Sequence, residues 1–394
     1  MRDFYYYNPT KVIFGKEKQK TVGLELKLLG KKRVLLHYGK SSVLKNNLLA
    51  DVKASLEENQ IEYLELPGVV SNPEVSLINE GARLVKKKGI DFVLALGGGS
   101  AIDSSKGIAA SFYLETDLWT HLKKGGKITQ SLAYGTILTL PASGSEMNNV
   151  SIISNSETKD KIGFTLQHPS FSILNAELCM SAPKKQIGYG IFDMFSHMVE
   201  MYFTPTRNVE VIDNMLVGNM RTVQTLGREV YRDSENYDLY AQVMWAGTMA
   251  HNYIFSLGRL SDWSSHQIEH EISAYYDVAH APGLSVVMLS WMKHVYREDI
   301  ERFAQFTSDV FGIRMNAFNL EETALKGIAA FERFIKDLDM PVTFDELGID
   351  DKYFEEIANK LTADGKKMIG NFKKLEKAEV KDILLSPWNI KASV

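Results

Sequence analysis

The sequence predicts an α/β N-terminal domain built on a parallel sheet, over residues 1–180, and an all-α C-terminal domain over residues 181–394. Three observations predict it. Short aliphatic or β-branched runs alternate with amphipathic stretches through the first half of the chain. One of those runs ends in three glycines that open directly into a helical pattern. After about Pro183 the texture changes to long helical patterns rich in Met, Leu and aromatic residues. A chain of 394 residues is also too long for one ordinary core.

In order, "RVLLHYG" reads as a strand, Ser42 to Glu58 as a helix, "IEYLELPG" as a strand, Glu74 to Lys88 as a helix, and "DFVLALGGGS" as a strand entering a helix near Ser100. "GTILTLPASGSE" supplies a further buried strand ending in a turn of small residues. Strands separated by helices are joined by crossovers, which make neighbours parallel and cover the sheet on both faces. No internal repeat, low-complexity tract or flexible linker interrupts the chain. Two closely packed domains with a cleft between them are therefore expected.

At 45% hydrophobic and 24% charged residues, the composition is that of a soluble globular protein. A formal charge of −4, with no Lys/Arg-rich stripe carrying interleaved aromatics, argues against a nucleic-acid partner. No apolar run approaches the ~20 residues that span a bilayer. The opening "MRDFYYYNPT" has neither a basic stretch nor an apolar one of the kind that directs export, so a cytoplasmic location is expected. Cys179 is the chain's one cysteine. Neither an internal disulfide nor a cysteine-based zinc site can form, and any metal must be held by His, Asp or Glu.

In "LALGGGSAID", Gly97, Gly98 and Gly99 allow close backbone approach, and the amides that open the following helix favour an anion such as a phosphate. Glycine turns of this kind also exist simply to turn. After the earlier strand, Gly39, Lys40, Ser41 and Ser42 contain no carboxylate to meet a ribose 2′-hydroxyl. Lys40 and the serines instead suit a 2′-phosphate, although the same residues also make an ordinary solvated turn.

"GIFDMFSHMVE" places Asp193 and His197 four apart on a helical pattern, hence on one face. His266 and His280 lie fourteen residues apart, which on one straight helix would separate them by about 21 Å. To share an ion the chain must turn between them, and "YYDVAHAPG", with Pro282 and Gly283 just beyond His280, is where the helix is expected to have ended. Asp193, His197, His266 and His280 would then offer one oxygen and three imidazoles, which suit Fe²⁺ or Zn²⁺ equally. A second reading uses "HQIEH" as the H-x-x-E-H pattern of a zinc protease, with His266 and His270 as ligands and Glu269 activating water. A third takes His270 and Glu269 as an ordinary helix-surface pair.

The chain as a whole resembles the iron-containing, or group III, alcohol dehydrogenases, in the branch of butanol dehydrogenases and NADPH-dependent aldehyde reductases. The resemblance rests on "NPTKVIFGKEK", "YGKSSVLKN", "SNPEV", "LALGGGSAIDSSKGIAA", "LTLPASGSEMN", "GIFDMFSHMVEMYFT", "NYDLYAQVMWAGTMAHN", "DWSSHQIEHEISAYYDVAHAPGLSVV" and "PVTFDELGI". It implies a Rossmann-like dinucleotide-binding domain followed by a helical metal- and substrate-binding domain, in the dehydroquinate synthase-like superfold. It implies Asp193, His197, His266 and His280 as metal ligands, with His270 near the nicotinamide as a proton relay, and so speaks against the protease. It further implies cofactor contacts from Gly39, Lys40, Ser42, Asn72, Gly97, Gly98, Gly99, Ser100, Asp103, Thr139, Ser143, Ser145 and Lys161. Lys40 and Ser41 stand where relatives commonly have glycine. Ala281 and Pro282 follow His280 where relatives usually have a glycine.

The implied reaction is reversible hydride transfer between NAD(P)H and a short-to-medium aldehyde, giving a primary alcohol. NADP(H) is favoured, Fe²⁺ or Zn²⁺ is required, and a homodimer is the expected assembly. A polyol oxidoreductase of the glycerol dehydrogenase type, in the same superfold, is the alternative.

Overall fold

The computed structural model describes residues 1–39, 43 and 46–386. Strands β1 (Lys11–Phe14), β2 (Arg33–Tyr38), β3 (Glu62–Pro67), β4 (Phe92–Gly97), β5 (Tyr134–Leu138) and β8 (Phe171–Leu174) form one sheet in the order β1-β8-β5-β4-β2-β3. Every pairing in it is parallel. The remaining strands, β6 (Val150–Asn155) and β7 (Asp160–Thr165), make a separate antiparallel pair that the sequence reading did not anticipate.

The inner strands β4, β5 and β8 are buried along their whole length and β2 nearly so, whereas the edge strands β1 and β3 are mostly open. This is the pattern of a sheet covered on both faces. The cover comes from α1 (Val22–Leu28), α2 (Leu48–Glu58), α3 (Val75–Lys88) and α4 (Gly99–Ser111), with the short α5 (Leu118–Lys123) beyond them. Alternate residues of β2 divide between two cores. Val34 and Leu36 join Val22, Leu26, Val52 and Leu56 of α1 and α2. Leu35 joins Ile78, Val85 and Ile108 of α3 and α4.

The chain continues through α6 (Lys184–Tyr202), α7 (Glu210–Arg232), α8 (Tyr237–Ala250), α9 (Ser264–Tyr276), α10 (His280–Val295), α11 (Ile300–Phe311), α12 (Leu320–Asp337), α13 (Phe354–Thr362) and α14 (Lys377–Leu385). Two compact units result. A sheet unit comprises Tyr7–Ile187 and Asp233–Asn252; a helical unit comprises Met1–Tyr6, Gly188–Arg232 and the chain from Tyr253 onward. The α8 helix is fastened within the sheet unit, where Tyr240 donates to the Cys179 carbonyl at 3.2 Å and Thr248 to Glu146 Oε1 at 2.6 Å. Aromatic rings fill the helical unit: Phe195 packs on Phe331 and Phe334, and Phe203 stacks on Phe303 with centroids 4.2 Å apart. Among the described residues no helix is long and apolar enough to cross a membrane.

Candidate functional site

Three helices of the helical unit carry the histidine cluster. The α6 helix contributes Asp193 and His197, α9 contributes His266 and His270, and α10 begins at His280. The break that brings His280 back lies before it. Asp277 ends α9 in the left-handed region (φ 52°, ψ 37°) with its N–H on the Ser273 carbonyl, and Ala279 starts α10 in an extended conformation. The helix thus ends within the stretch the sequence pointed to, at Tyr276, while Pro282 and Gly283 sit inside the first turn of α10 rather than at the break itself. Proline is tolerated in a first turn because its missing N–H would have no helical partner there.

Ligand atoms of Asp193, His266 and His280 all lie within 4.8 Å of one another. His280 Nε2 is 3.5 Å and His197 Nε2 is 3.9 Å from Asp193 Oδ1. The His197 and His266 rings stack at 4.9 Å, and His270 stands 5.4 Å from His280 and 6.3 Å from His266, centroid to centroid. All five predicted residues are thus gathered in one place; His280 belongs also to a second group in which ligand atoms of Glu269, His270 and His280 lie within 4.8 Å of one another.

Asp193 Oδ1 and His266 Nε2 are buried and find no hydrogen-bond partner among the described residues. Leaving such atoms unpaired costs about 1–3 kcal/mol each, so the arrangement fits a cation that would accept both lone pairs. Burial pushes the Asp193 carboxyl up to about 6, against the pull of His280, and holds His266 down at about 3, in the neutral form that ligates metals. The other nitrogen of His266, Nδ1, donates to Glu200 Oε1 at 3.0 Å. His280 Nδ1 donates to Glu269 Oε2, while Glu269 Oε1 accepts from Ser273 at 2.7 Å. With both its oxygens bonded inside the protein and its side chain wholly buried, Glu269 does not stand ready to activate water as the protease reading requires.

In the sheet unit, Gly98 precedes α4 in an extended conformation, and no side chain caps the helix. In its first turn the Ala101 and Ile102 N–H groups bond back to the Gly98 carbonyl at 3.0 and 3.2 Å, so the amides that precede them, at Gly99 and Ser100, are the ones placed to meet an anion. The glycines here serve packing as well: a Cβ on Gly99 would lie 2.5 Å from Ser143 Oγ, and one on Gly97 would lie 2.5 Å from Ala101 Cβ. The Thr139 N–H bonds the Gly97 carbonyl at 3.0 Å, tying β5 to the loop. Asp103 accepts from Ser145 at 2.5 Å and from the Ile152 N–H at 2.9 Å. Ser145 in turn accepts from the fully buried Lys106, which also donates to Asn148 and to the Val150 carbonyl. Lys161 donates to Asn72 Oδ1 at 3.0 Å, so that pair meets across the sequence. Gly39 follows β2, and Lys40 and Ser42 lie outside the described residues.

Sequence reasoning missed Glu200 as a partner of the cluster. Asp193, His197 and Glu200 follow at i, i+4 and i+7, one stripe of a helix, and that spacing was the available signal. Lys106 carried no such signal, because nothing in its own turn announces that β6 will close over it.

The family described as iron-containing alcohol dehydrogenase matches residues 9–176, and the C-terminal part of the Fe-containing alcohol dehydrogenase family matches residues 188–388. The probable NADH-dependent butanol dehydrogenase 1 of Bacillus subtilis is 40% identical over 98% of this chain and 99% of its own length. The NADPH-dependent aldehyde reductase YqhD of Escherichia coli is 32% identical over 94% of this chain and 95% of its own. Among solved structures, NADH-dependent butanol dehydrogenase A from Thermotoga maritima matches with a TM-score of 0.93 at 33% identity, covering 98% of this chain and 99% of that one.

Proposed function

The chain belongs to the iron-containing alcohol dehydrogenase family, and we propose that it reduces short-to-medium aldehydes to primary alcohols, reversibly, with a divalent metal held by Asp193, His197, His266 and His280. Alcohol dehydrogenase and aldehyde reductase activity with a nicotinamide cofactor is what its relatives support. Butanal is the proposed test substrate, from the names of those relatives. The observation that carries the metal site is the pair of buried ligand atoms on Asp193 and His266, beside His280, that find no hydrogen-bond partner among the described residues.

When bound, the metal supplies Lewis-acid polarisation of the carbonyl oxygen and the reduced nicotinamide supplies hydride. The protein's own tasks are to hold and to protonate. Asp193 and the three imidazoles would hold the cation in a buried setting, where its charge would act strongly. His270, beside the ligand group, would return a proton to the oxygen, a role that suits imidazole because it titrates near neutrality. The amides at the start of α4, with Gly97 to Ser100, would receive the pyrophosphate. Asp103, Ser145 and Thr139 would act on that loop mainly by bracing it, Ser143 by packing against Gly99, and Asn72 with Lys161 by closing its rim. A functional division near residue 180, cofactor contacts before it and metal ligands after it, follows from these assignments.

Relatives named for NADH and for NADPH both match the chain. NADP(H) is proposed for this one from the sequence Gly39, Lys40, Ser41, Ser42, which supplies a cation and hydroxyls and no carboxylate. A homodimer is proposed on the family resemblance.

The test is cofactor consumption with butanal by metal-stripped protein reconstituted with Fe²⁺, with Zn²⁺ or with nothing, using NADPH and NADH in parallel. Metal-dependent turnover is expected, faster with NADPH. Equal turnover without metal would overturn the ligand assignment, and turnover confined to glycerol-like substrates would favour a polyol oxidoreductase.

A further inference from the structure

Two buried carboxylates back the histidine cluster, and neither is among the proposed ligands. Glu200, on α6, is 1% exposed, and Glu269, on α9, is wholly buried. Glu200 accepts three hydrogen bonds from one short segment: the Trp263 N–H at 2.8 Å, the His266 N–H at 3.0 Å and His266 Nδ1 at 3.0 Å. Trp263 itself is held in the left-handed region (φ 65°) immediately before α9. A non-glycine residue there costs about 1–3 kcal/mol and persists only where its surroundings hold it, and the bond to Glu200 is part of that hold. Glu269 is the counterpart for the other arm. It accepts from His280 Nδ1 through one oxygen and from Ser273 through the other. Gly283 leaves the space it occupies, since a Cβ at that position would stand 3.0 Å from Glu269 Oε1.

We propose that Glu200 and Glu269 are positioning residues for the metal: each keeps the proton on Nδ1 of one histidine, His266 or His280, so that both Nε2 lone pairs face a single ion. This inference rests on the metal site proposed above. The physical reason is that an imidazole has two nitrogens and a metal takes only one; a carboxylate on the other fixes both tautomer and ring angle, and makes the ligating nitrogen more basic. The distribution of partners in the site agrees. His266 Nδ1 is bonded while its Nε2 has no hydrogen-bond partner among the described residues, and His280 Nδ1 is bonded while its Nε2 faces Asp193 Oδ1 at 3.5 Å. A purely structural pair of ion bridges would have no reason to leave the far nitrogens converging on a carboxylate.

The test is Zn²⁺ affinity of the full-length, metal-stripped protein, measured by chelator competition, for wild type, Glu200→Gln, Glu269→Gln and His266→Ala. Each glutamine variant is expected to bind Zn²⁺ about 10–100-fold more weakly. Each should alter the visible absorption of Co²⁺-loaded protein and unfold without metal at or above the wild-type temperature, because glutamine relieves a buried charge. Unchanged Zn²⁺ affinity in both variants overturns the proposal, as does weakening matched by an equal fall in metal-free stability. Should a glutamine variant not fold, Glu200→Asp and Gly283→Ala replace it. The first keeps the charge but shortens the reach, the second crowds Glu269 from behind, and the same loss of affinity is expected. Wild type that binds no Zn²⁺ sinks the metal site itself. Wild type that binds, with loss in His266→Ala but not in the glutamine variants, sinks only the positioning role.

Discussion

Two buried histidines, one in each unit, show how alike in burial and unlike in purpose two residues can be. His37 in β2 is fully buried; its Nδ1 donates to the Leu66 carbonyl and its Nε2 accepts from Ser104, both at 2.7 Å. His266 in α9 is nearly as buried, yet among the described residues its Nδ1 alone has a hydrogen-bond partner. Burial holds both imidazoles neutral, at about 4 and about 3. The difference is in what is left over. Around the glycine loop of the sheet unit the side chains of Asp103, Ser145 and Lys106 close on one another, and the start of α4 offers backbone. In the helical unit side-chain atoms themselves remain open, and an ion would complete them. A buried polar atom without a partner is the better signpost to a site than a buried polar residue.

Breaking the helical side of this contrast should have the largest effect. His266→Ala removes an open ligand atom and is expected to abolish stoichiometric metal and lower kcat/KM for butanal by ~10³-fold or more, several kcal/mol of transition-state stabilisation. Metal analysis alongside steady-state kinetics checks it. His270→Ala should retain its metal while turnover falls by about 10²-fold, the lower range for a positioned proton donor. Metal loss in that variant would return His270 to the ligand set.

On the sheet side the effects are smaller. The folded pKa of His37 lies at about 4, below its ordinary 6.5, so the unfolded chain binds the proton first as pH falls. The stabilising contribution is present above about pH 6.5 and is lost as pH falls through about 4. Between pH 7 and pH 5 this histidine should remove about 2 kcal/mol of stability. Urea unfolding of His37→Gln and wild type at both pH values, with chelator present, should show the gap between them shifting by that amount in favour of the variant. The smallest expected change is Gly99→Ala. Its Cβ would stand 2.5 Å from Ser143 Oγ, and the displaced loop should raise KM for the nicotinamide cofactor roughly tenfold, about 1.4 kcal/mol, with metal content untouched. A fall in metal content there would mean that the two regions are less separable than their hydrogen bonding suggests.

The fold was legible at the level of local rhythm. Alternating aliphatic runs and amphipathic stretches determined the strands β2 to β5 and the helices between them, because crossover connections admit only parallel pairing. The helix predicted from Glu74 is seen at Val75–Lys88, and the strand that ends in three glycines is seen at Phe92–Gly97. The β6–β7 pair was not legible, since short polar-interrupted runs such as "VSIISN" carry little periodicity. Of the cluster, Asp193 and His197 were readable as one face of one helix, and the ordered motifs of the chain determined its family.

Tertiary structure alone decided the rest. Only the left-handed turn at Asp277, followed by a fresh helix at His280, converts fourteen residues of separation into two rings 5.4 Å apart. Nor does spacing reveal that Glu200 and Glu269 back those rings, because a side chain's partner depends on which helices meet. Sequence periodicity records which face of an element is buried; it does not record what that face is buried against, and in this protein the second fact separates a structural histidine from a proposed ligand.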